Sequence, residues 1–175
     1  MLAKEKTPAV TDVDVRPRPA WLVFGGLALV VLVLDQLAKA WIVGNIAPGQ
    51  VVDVLGSWVR LILSRNGGAL FGLFASSATL FGIGSLAVLS LIVWYHARTP
   101  RSVLLSVALG LLMGGALGNL VDRLRIGYVV DFVDIGVGTI RWFTFNVGDA
   151  AISTAILLLL LLAMRPAARP ASADA

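Results

Sequence analysis

Long apolar runs separated by short polar interruptions dominate this chain. Trp21 to Val43 is the first run; Thr79 to Tyr95, Val103 to about Leu120, and Ala150 to Met164 follow. A helix needs about 20 largely apolar residues to cross the hydrocarbon core of a bilayer, so these runs predict four membrane helices. The first run could pass for a secretion signal. Its apolar part is too long, however, and no small-residue cleavage pattern follows, so it reads as a retained helix.

Between the runs the period shortens. Val51–Leu55 and Trp58–Ser64 are rich in β-branched residues and flank Gly56-Ser57, which predicts a small hairpin lying on the membrane surface. Thr139–Phe145 has the same β-type composition and is expected to join that hairpin as a further strand. Leu124–Gly138 reads as a loop or broken segment, and Asn45–Gly49 as a turn around Pro48. His96–Ser102 reads as a short loop in which Pro100 stops the preceding helix. Residues 1–20 and 166–175 are polar, proline-punctuated tails, leaving residues 21–165 as one four-helix membrane domain.

Composition agrees with that class. Hydrophobic residues make up 58% of the 175 positions and charged residues 14%, with a mean hydropathy of +0.91. This is too apolar for a soluble domain, and too short a chain for a membrane part plus a separate soluble enzyme. The net charge of +4 does not indicate nucleic acid, because the basic residues sit in tails and loops without an aromatic-interleaved patch. The basic tail, Arg98, Arg101, Arg165 and Arg169 place both termini on the cytoplasmic side. Arg60, Arg65, Arg123, Arg125 and Arg141 fall on the other face against that rule. Cysteine is absent and His96 is the sole histidine, so thiol chemistry, a Ser-His-Asp triad and a His-Glu-x-x-His zinc site are all excluded. No metal or cofactor is expected.

Polar residues are scarce, and they crowd between Gly114 and Asp149. Asn119, Asp122, Arg123, Asp131, Asn146 and Asp149 all lie there, between two apolar segments. Ionisable groups at a membrane boundary are costly and are therefore functional candidates. Two carboxylates brought together and partly desolvated cannot both ionise cheaply, so they share a proton between an acid and a base. Asp131 and Asp149 suit that role, although Asp149 is equally well placed to cap a helix. In the first run Asp35 and Lys39 are four apart and can pair on one helix face; Lys39 could instead snorkel to the interface near Trp41. Asn66, ahead of paired glycines, suggests a binding loop. Gly110, Gly114 and Gly118 recur every fourth residue, a stripe that lets membrane helices pack closely.

Five stretches in order, DQLAK (35–39), NGGALFG (66–72), GGALGNLVDR (114–123), GYVVDF (127–132) and FNVGD (145–149), resemble the lipoprotein signal peptidases, the signal peptidase II family of bacterial membrane aspartyl proteases. The resemblance spans roughly Trp21 to Met164. It implies an α-helical integral membrane protein with four transmembrane helices and a small outward-facing β-cradle. The implied activity removes signal peptides from prolipoproteins just before a diacylglyceryl-modified cysteine, in the bacterial cytoplasmic membrane and near its outer leaflet. By the motif match Asp131 and Asp149 are the implied catalytic pair. Asn66, Asn119, Arg123 and Asn146 fall on positions that hold the peptide or orient the site, and Asp35 and Lys39 on a supporting motif. The implied partners are lipid-modified prolipoproteins and membrane lipids, with the enzyme a monomer. Three positions depart from the family pattern: Ala38 for Ser or Thr, Leu70 for a small residue, and Gly148 for alanine.

Two other readings use the same residues. A Ser/Lys protease would employ Lys39 with a serine such as Ser64, yet Asp35 would hold that lysine protonated. A small proton or ion carrier would string its carboxylates through the bilayer, whereas these gather at one edge.

Overall fold

The computed structural model describes residues 20–67, 78–99 and 102–164. In chain order these form α1 (Trp21–Asn45), β1 (Val51–Leu55), β2 (Val59–Asn66), α2 (Ala78–Arg98), α3 (Val103–Ile126), β3 (Val129–Val137), β4 (Ile140–Arg141) and α4 (Val147–Ala163). The expected tails, apart from Ala20, lie outside the described residues, as does Leu70.

The glycine-striped helix α3 is the centre, packed against α1, α2 and α4. Its glycines let α1 approach. A Cβ at Gly110 would lie 2.8 Å from the Phe24 carbonyl oxygen, and one at Gly114 2.6 Å from that of Ala28. One turn on, a Cβ at Gly118 would overlap the Asp35 carboxylate. The stripe therefore packs helix on helix for two turns and then makes room for a buried charge. Phe24, Ala28, Leu89, Ile92, Leu109, Met113 and Leu120 form the apolar core around it.

Outward faces stay apolar. Leu22 is 93% exposed, and Leu29, Leu34, Leu37, Leu157 and Leu160 are all more than half exposed. So much uncovered leucine is suited to hydrocarbon surroundings. Among the described residues, α1 and α3 are long and apolar enough to cross a membrane, and α4 is a shorter apolar helix.

The hairpin β1–β2 forms as expected, and β3 pairs antiparallel with β2 to build a sheet of order β1-β2-β3-β4. Here the structure corrects the expectation of a loop over Leu124–Gly138. α3 runs on to Ile126, the chain reverses at Gly127 with φ 79°, and β3 follows at once. That positive φ costs glycine little. β-branched residues at positions 129, 130, 133, 135 and 137 give the segment a strand surface that β2 covers. The strand expected over Thr139–Phe145 is shorter: Ile140–Arg141 pairs with β3, and Phe145 returns to it through an isolated bridge to Val133 and a bond from the Phe132 N–H. His96 is likewise not in a loop. It lies in the last turn of α2, buried, stacked on Phe24 at 4.4 Å and hydrogen-bonded through Nε2 to the Ser106 hydroxyl at 3.0 Å.

Candidate active site

The site grows from the first turn of α4. The N-cap residue Asn146 accepts a bond from the Asp149 backbone N–H at 2.9 Å, and the Asp149 carboxylate accepts one from the Asn146 N–H at 3.2 Å. This reciprocal capping box satisfies two N–H groups that a helix start leaves unpaired. It also explains why α4 begins at Val147 rather than at the expected Ala150. Capping is thus one of Asp149's jobs, and it leaves Asp149 only half-buried. A third N–H, that of Gly148, is taken from across the bundle by Asp35 at 2.8 Å.

Asp35 and Lys39 form the expected pair, with the Lys39 ammonium 2.7 Å from Asp35. The ammonium does not snorkel. It is 3% exposed and also reaches Asp122 at 3.0 Å and the Asn119 side-chain oxygen at 3.0 Å. Three donors thus meet three acceptors, two of them carboxylates, so the ammonium is fully engaged inside the network. Asn119, its oxygen held by Lys39 and by the Asn146 amide at 3.2 Å, turns its own amide onto Asp149 at 2.8 Å.

Asp131 enters from β3. It is 3% exposed, and each of its oxygens receives an amide donor: Asn146 at 2.7 Å and Asn66 at 3.0 Å. A bulge brings Asn66 into reach, since β2 takes three steps from Leu61 to Ser64 where β3 takes two from Val133 to Asp131. Burial pushes the Asp131 carboxyl up to about 6; the Asn66 amide pulls it down, neighbouring Asp149 pushes it up again, and Asn146 and Lys39 pull it down. Asn146 therefore touches both candidate carboxylates, Asp131 through its amide and Asp149 through the capping box. Arg123 lies along α3 beside them, donating to the Asn119 carbonyl at 3.3 Å and within electrostatic reach of Asp149, Asp131 and Asp122.

All eight residues singled out in the sequence therefore meet in one place, joined through Asn119 and Asn146. Asp134, which shares β3 with Asp131, goes elsewhere, bound by Arg60 at 2.7 Å and Arg141 at 2.9 Å. Two participants had no assigned role. Asp122 stands in the sequence only as one of the crowded polar residues, and Gln36 as an ordinary position of the first apolar run; Gln36 donates to Asp122 at 3.0 Å and to the Gly118 carbonyl at 3.2 Å. Their signal was present, since Gly118 and Asp122 stand four apart on the face that meets Asp35. Of the departures, Gly148 sits where a Cβ would lie 3.0 Å from the Gly115 carbonyl oxygen, and Ala38 packs against the apolar cluster of Ile42, Val130 and Phe132.

The model of the family described as signal peptidase (SPase) II matches residues 27–165. The chain belongs to the signal peptidase II family. The lipoprotein signal peptidase of Moorella thermoacetica is 42% identical over 142 residues, covering 81% of this chain and 92% of that protein. That of Caulobacter vibrioides is 41% identical over 151 residues, covering 82% and 87%. A solved bacterial membrane enzyme superposes with a TM-score of 0.82 at 25% identity, covering 91% of this chain and 98% of its own. A second such structure gives 0.80 at 26% identity, covering 87% and 99%. The mainly helical fold with a small antiparallel sheet is thus shared with membrane enzymes.

Proposed function

We propose that the chain, a peptidase that cleaves signal peptides from prolipoproteins, performs that hydrolysis with Asp131 and Asp149 as an aspartyl pair. The observation that carries this reading is the unequal environment of two adjacent carboxylates. Asp131 is buried among neutral amides and pushed up to about 6, while Asp149 is half-buried at a helix start, its carboxylate accepting from the Asn146 N–H and the Asn119 amide. Such a pair holds one proton between an acid and a base.

In the first step Asp149 takes a proton from water as the oxygen adds to the scissile carbonyl, and protonated Asp131 donates a hydrogen bond to the developing oxyanion. Asp131 then passes its proton to the departing amine as the C–N bond breaks. The pair ends with the proton on Asp149, and its return to Asp131 resets the site. Asn66 and Asn146 orient Asp131, Asn119 orients Asp149, and Asp35 with Lys39 supports them from α1. Arg123 adds positive charge where the oxyanion forms. All four helices span the bacterial cytoplasmic membrane with both termini inside, the sheet lies outward as a cradle, and the pair sits near the outer leaflet, within reach of a diacylglyceryl-modified cysteine.

The test is purified protein incubated with a diacylglyceryl-modified prolipoprotein and scored by mass for loss of the signal peptide. Asp131→Asn and Asp149→Asn should each be silent while remaining folded, since general acid–base help is worth ~100-fold or more. Activity above roughly a tenth of wild type in either would remove the pair assignment. Single cysteines at Ser57 and Thr99 should label from opposite sides, with Ser57 outside; labelling of both from one side would break the four-span topology.

A further inference from the structure

We propose that Asp122, backed by Gln36, is a positioning residue that sets the strand carrying Asp131, an inference that rests on Asp131 and Asp149 being the catalytic pair. Val130 directly precedes Asp131 on β3. The Val130 N–H donates to the Asp122 carboxylate at 3.1 Å, across the reversal at Gly127. The Val130 carbonyl is approached by the Asn146 amide at 3.4 Å. The residue leading into Asp131 is thus held at its N–H from α3 and at its C=O from the α4 cap.

Asp122 is itself held from a third direction. One oxygen binds the Lys39 ammonium as well as the Val130 N–H, and the other accepts from Gln36. It is 5% exposed. Lys39 also binds Asn119, which holds Asp149. Asp122 and Lys39 therefore join the supports of the two carboxylates, one through the β3 backbone and one through a side chain. Reacting groups must hold their place to within about 0.5 Å, and helix α3 supplies a rigid base for both supports. A hollow of about 350 Å³ borders the clasp between α1 and α3, lined in part by Gln36, Lys39, Asp122 and Val130.

The charged groups facing Asp131 are Asp149 from α4, Lys39 from α1 and Arg123 from α3, with the amides of Asn66 and Asn146 completing its surroundings. Asp122 faces Lys39 and Arg123. Asp122→Asn keeps the shape but removes one of the two carboxylates that balance Lys39. The freed positive charge then acts more strongly on Asp131.

The experiment measures kcat, KM and the pH–rate profile of Asp122→Asn and Gln36→Met in bilayer discs with a diacylglyceryl-modified prolipoprotein. For Asp122→Asn kcat should fall ~10- to 100-fold, the cost of a small misplacement, with KM near wild type. The alkaline limb of the profile should also move to lower pH. Gln36→Met, which removes only the supporting donor, should lower kcat less and leave KM alone. A wild-type kcat for Asp122→Asn overturns the proposal, as does a lowered kcat whose pH profile superposes on wild type after scaling, the mark of merely lost folded enzyme. If Asp122→Asn does not fold, a Gln36→Met enzyme with wild-type kcat overturns it. Should Asp131→Asn stay active, the catalytic pair fails instead, whatever Asp122 does.

Discussion

Asp131 and Asp134 stand three residues apart on one strand, both almost fully buried, and they end in opposite states. Asp131 is 3% exposed and meets two neutral amides; its carboxyl is pushed up to about 6 by burial. Asp134 is 4% exposed and meets two guanidinium groups; the Arg141 hydrogen bonds hold it below the ordinary carboxylate range against the pull of burial, with Arg60 adding to the effect. Burial alone does not make a carboxylate reactive. Amides orient a buried acid while leaving its proton exchangeable near neutral pH, whereas guanidinium groups cancel its charge and lock it. Arg141 shows the structural use: it donates to Asp134 and to the Ser57 carbonyl at 2.6 Å, tying the β1–β2 turn to β3 and β4.

The contrast can be broken most sharply by treating both aspartates alike. Asp131→Asn should abolish cleavage, a loss of ~100-fold or more, while Asp134→Asn should retain most of it in the same mass-based assay. Comparable losses from both would erase the distinction. Next in size is Asn66→Arg, which gives Asp131 the kind of partner Asp134 has. It should hold Asp131 ionised and lower kcat at neutral pH by ~10-fold or more, since the acid of the pair is lost. Asn66→Ala works in the other direction: without that donor Asp131 rises further, so the alkaline limb of the pH–rate profile should move up. In wild type that limb should fall as pH rises through about 6, the value set for Asp131, and a profile flat across that region would contradict the shared proton.

Stability sharpens the comparison further. Asp134 is held below its ordinary value when folded, so its contribution is present above the unfolded carboxylate value and is lost as pH falls through the folded one. Asp134→Asn should accordingly cost about 2 kcal/mol at neutral pH, the scale of hydrogen bonds to a charged group. Its thermal midpoint should begin to approach that of wild type only below about pH 4 and meet it below the lower, folded value. The smallest effect is expected from Ser57→Ala and Ser64→Ala, which should leave cleavage intact, and a covalent adduct of either serine with an acylating inhibitor would revive the Ser/Lys reading.

Much of the site was legible because it is written against an apolar background. In a chain with 14% charged residues, a polar side chain inside a hydrophobic run needs a partner, and the four-residue spacings of Asp35 with Lys39 and Asn119 with Arg123 put each on a helix face shared with the site. The glycine stripe was legible for the same reason, since only close helix packing calls for small residues at that period. The GYVVDF match marks Asp131 and not Asp134, but pattern and spacing say nothing of which cation a carboxylate meets across a sheet.

Apolar run lengths, β-branched stretches and turn glycines determined by themselves that there would be four helices and a small sheet. These follow from local rules: the length of a helix that can span a bilayer and the period of a strand. Tertiary structure alone decided the strand over Val129–Val137, the place of His96 under Trp21 and Phe24, and the parts played by Gln36 and Asp122. Each depends on partners far off in the chain. β3 exists because β2 covers it, His96 is buried because α1 and α3 supply its ring and hydroxyl neighbours, and Asp122 gains its role from a lysine on α1 and an N–H on β3 that only folding brings within 3.1 Å.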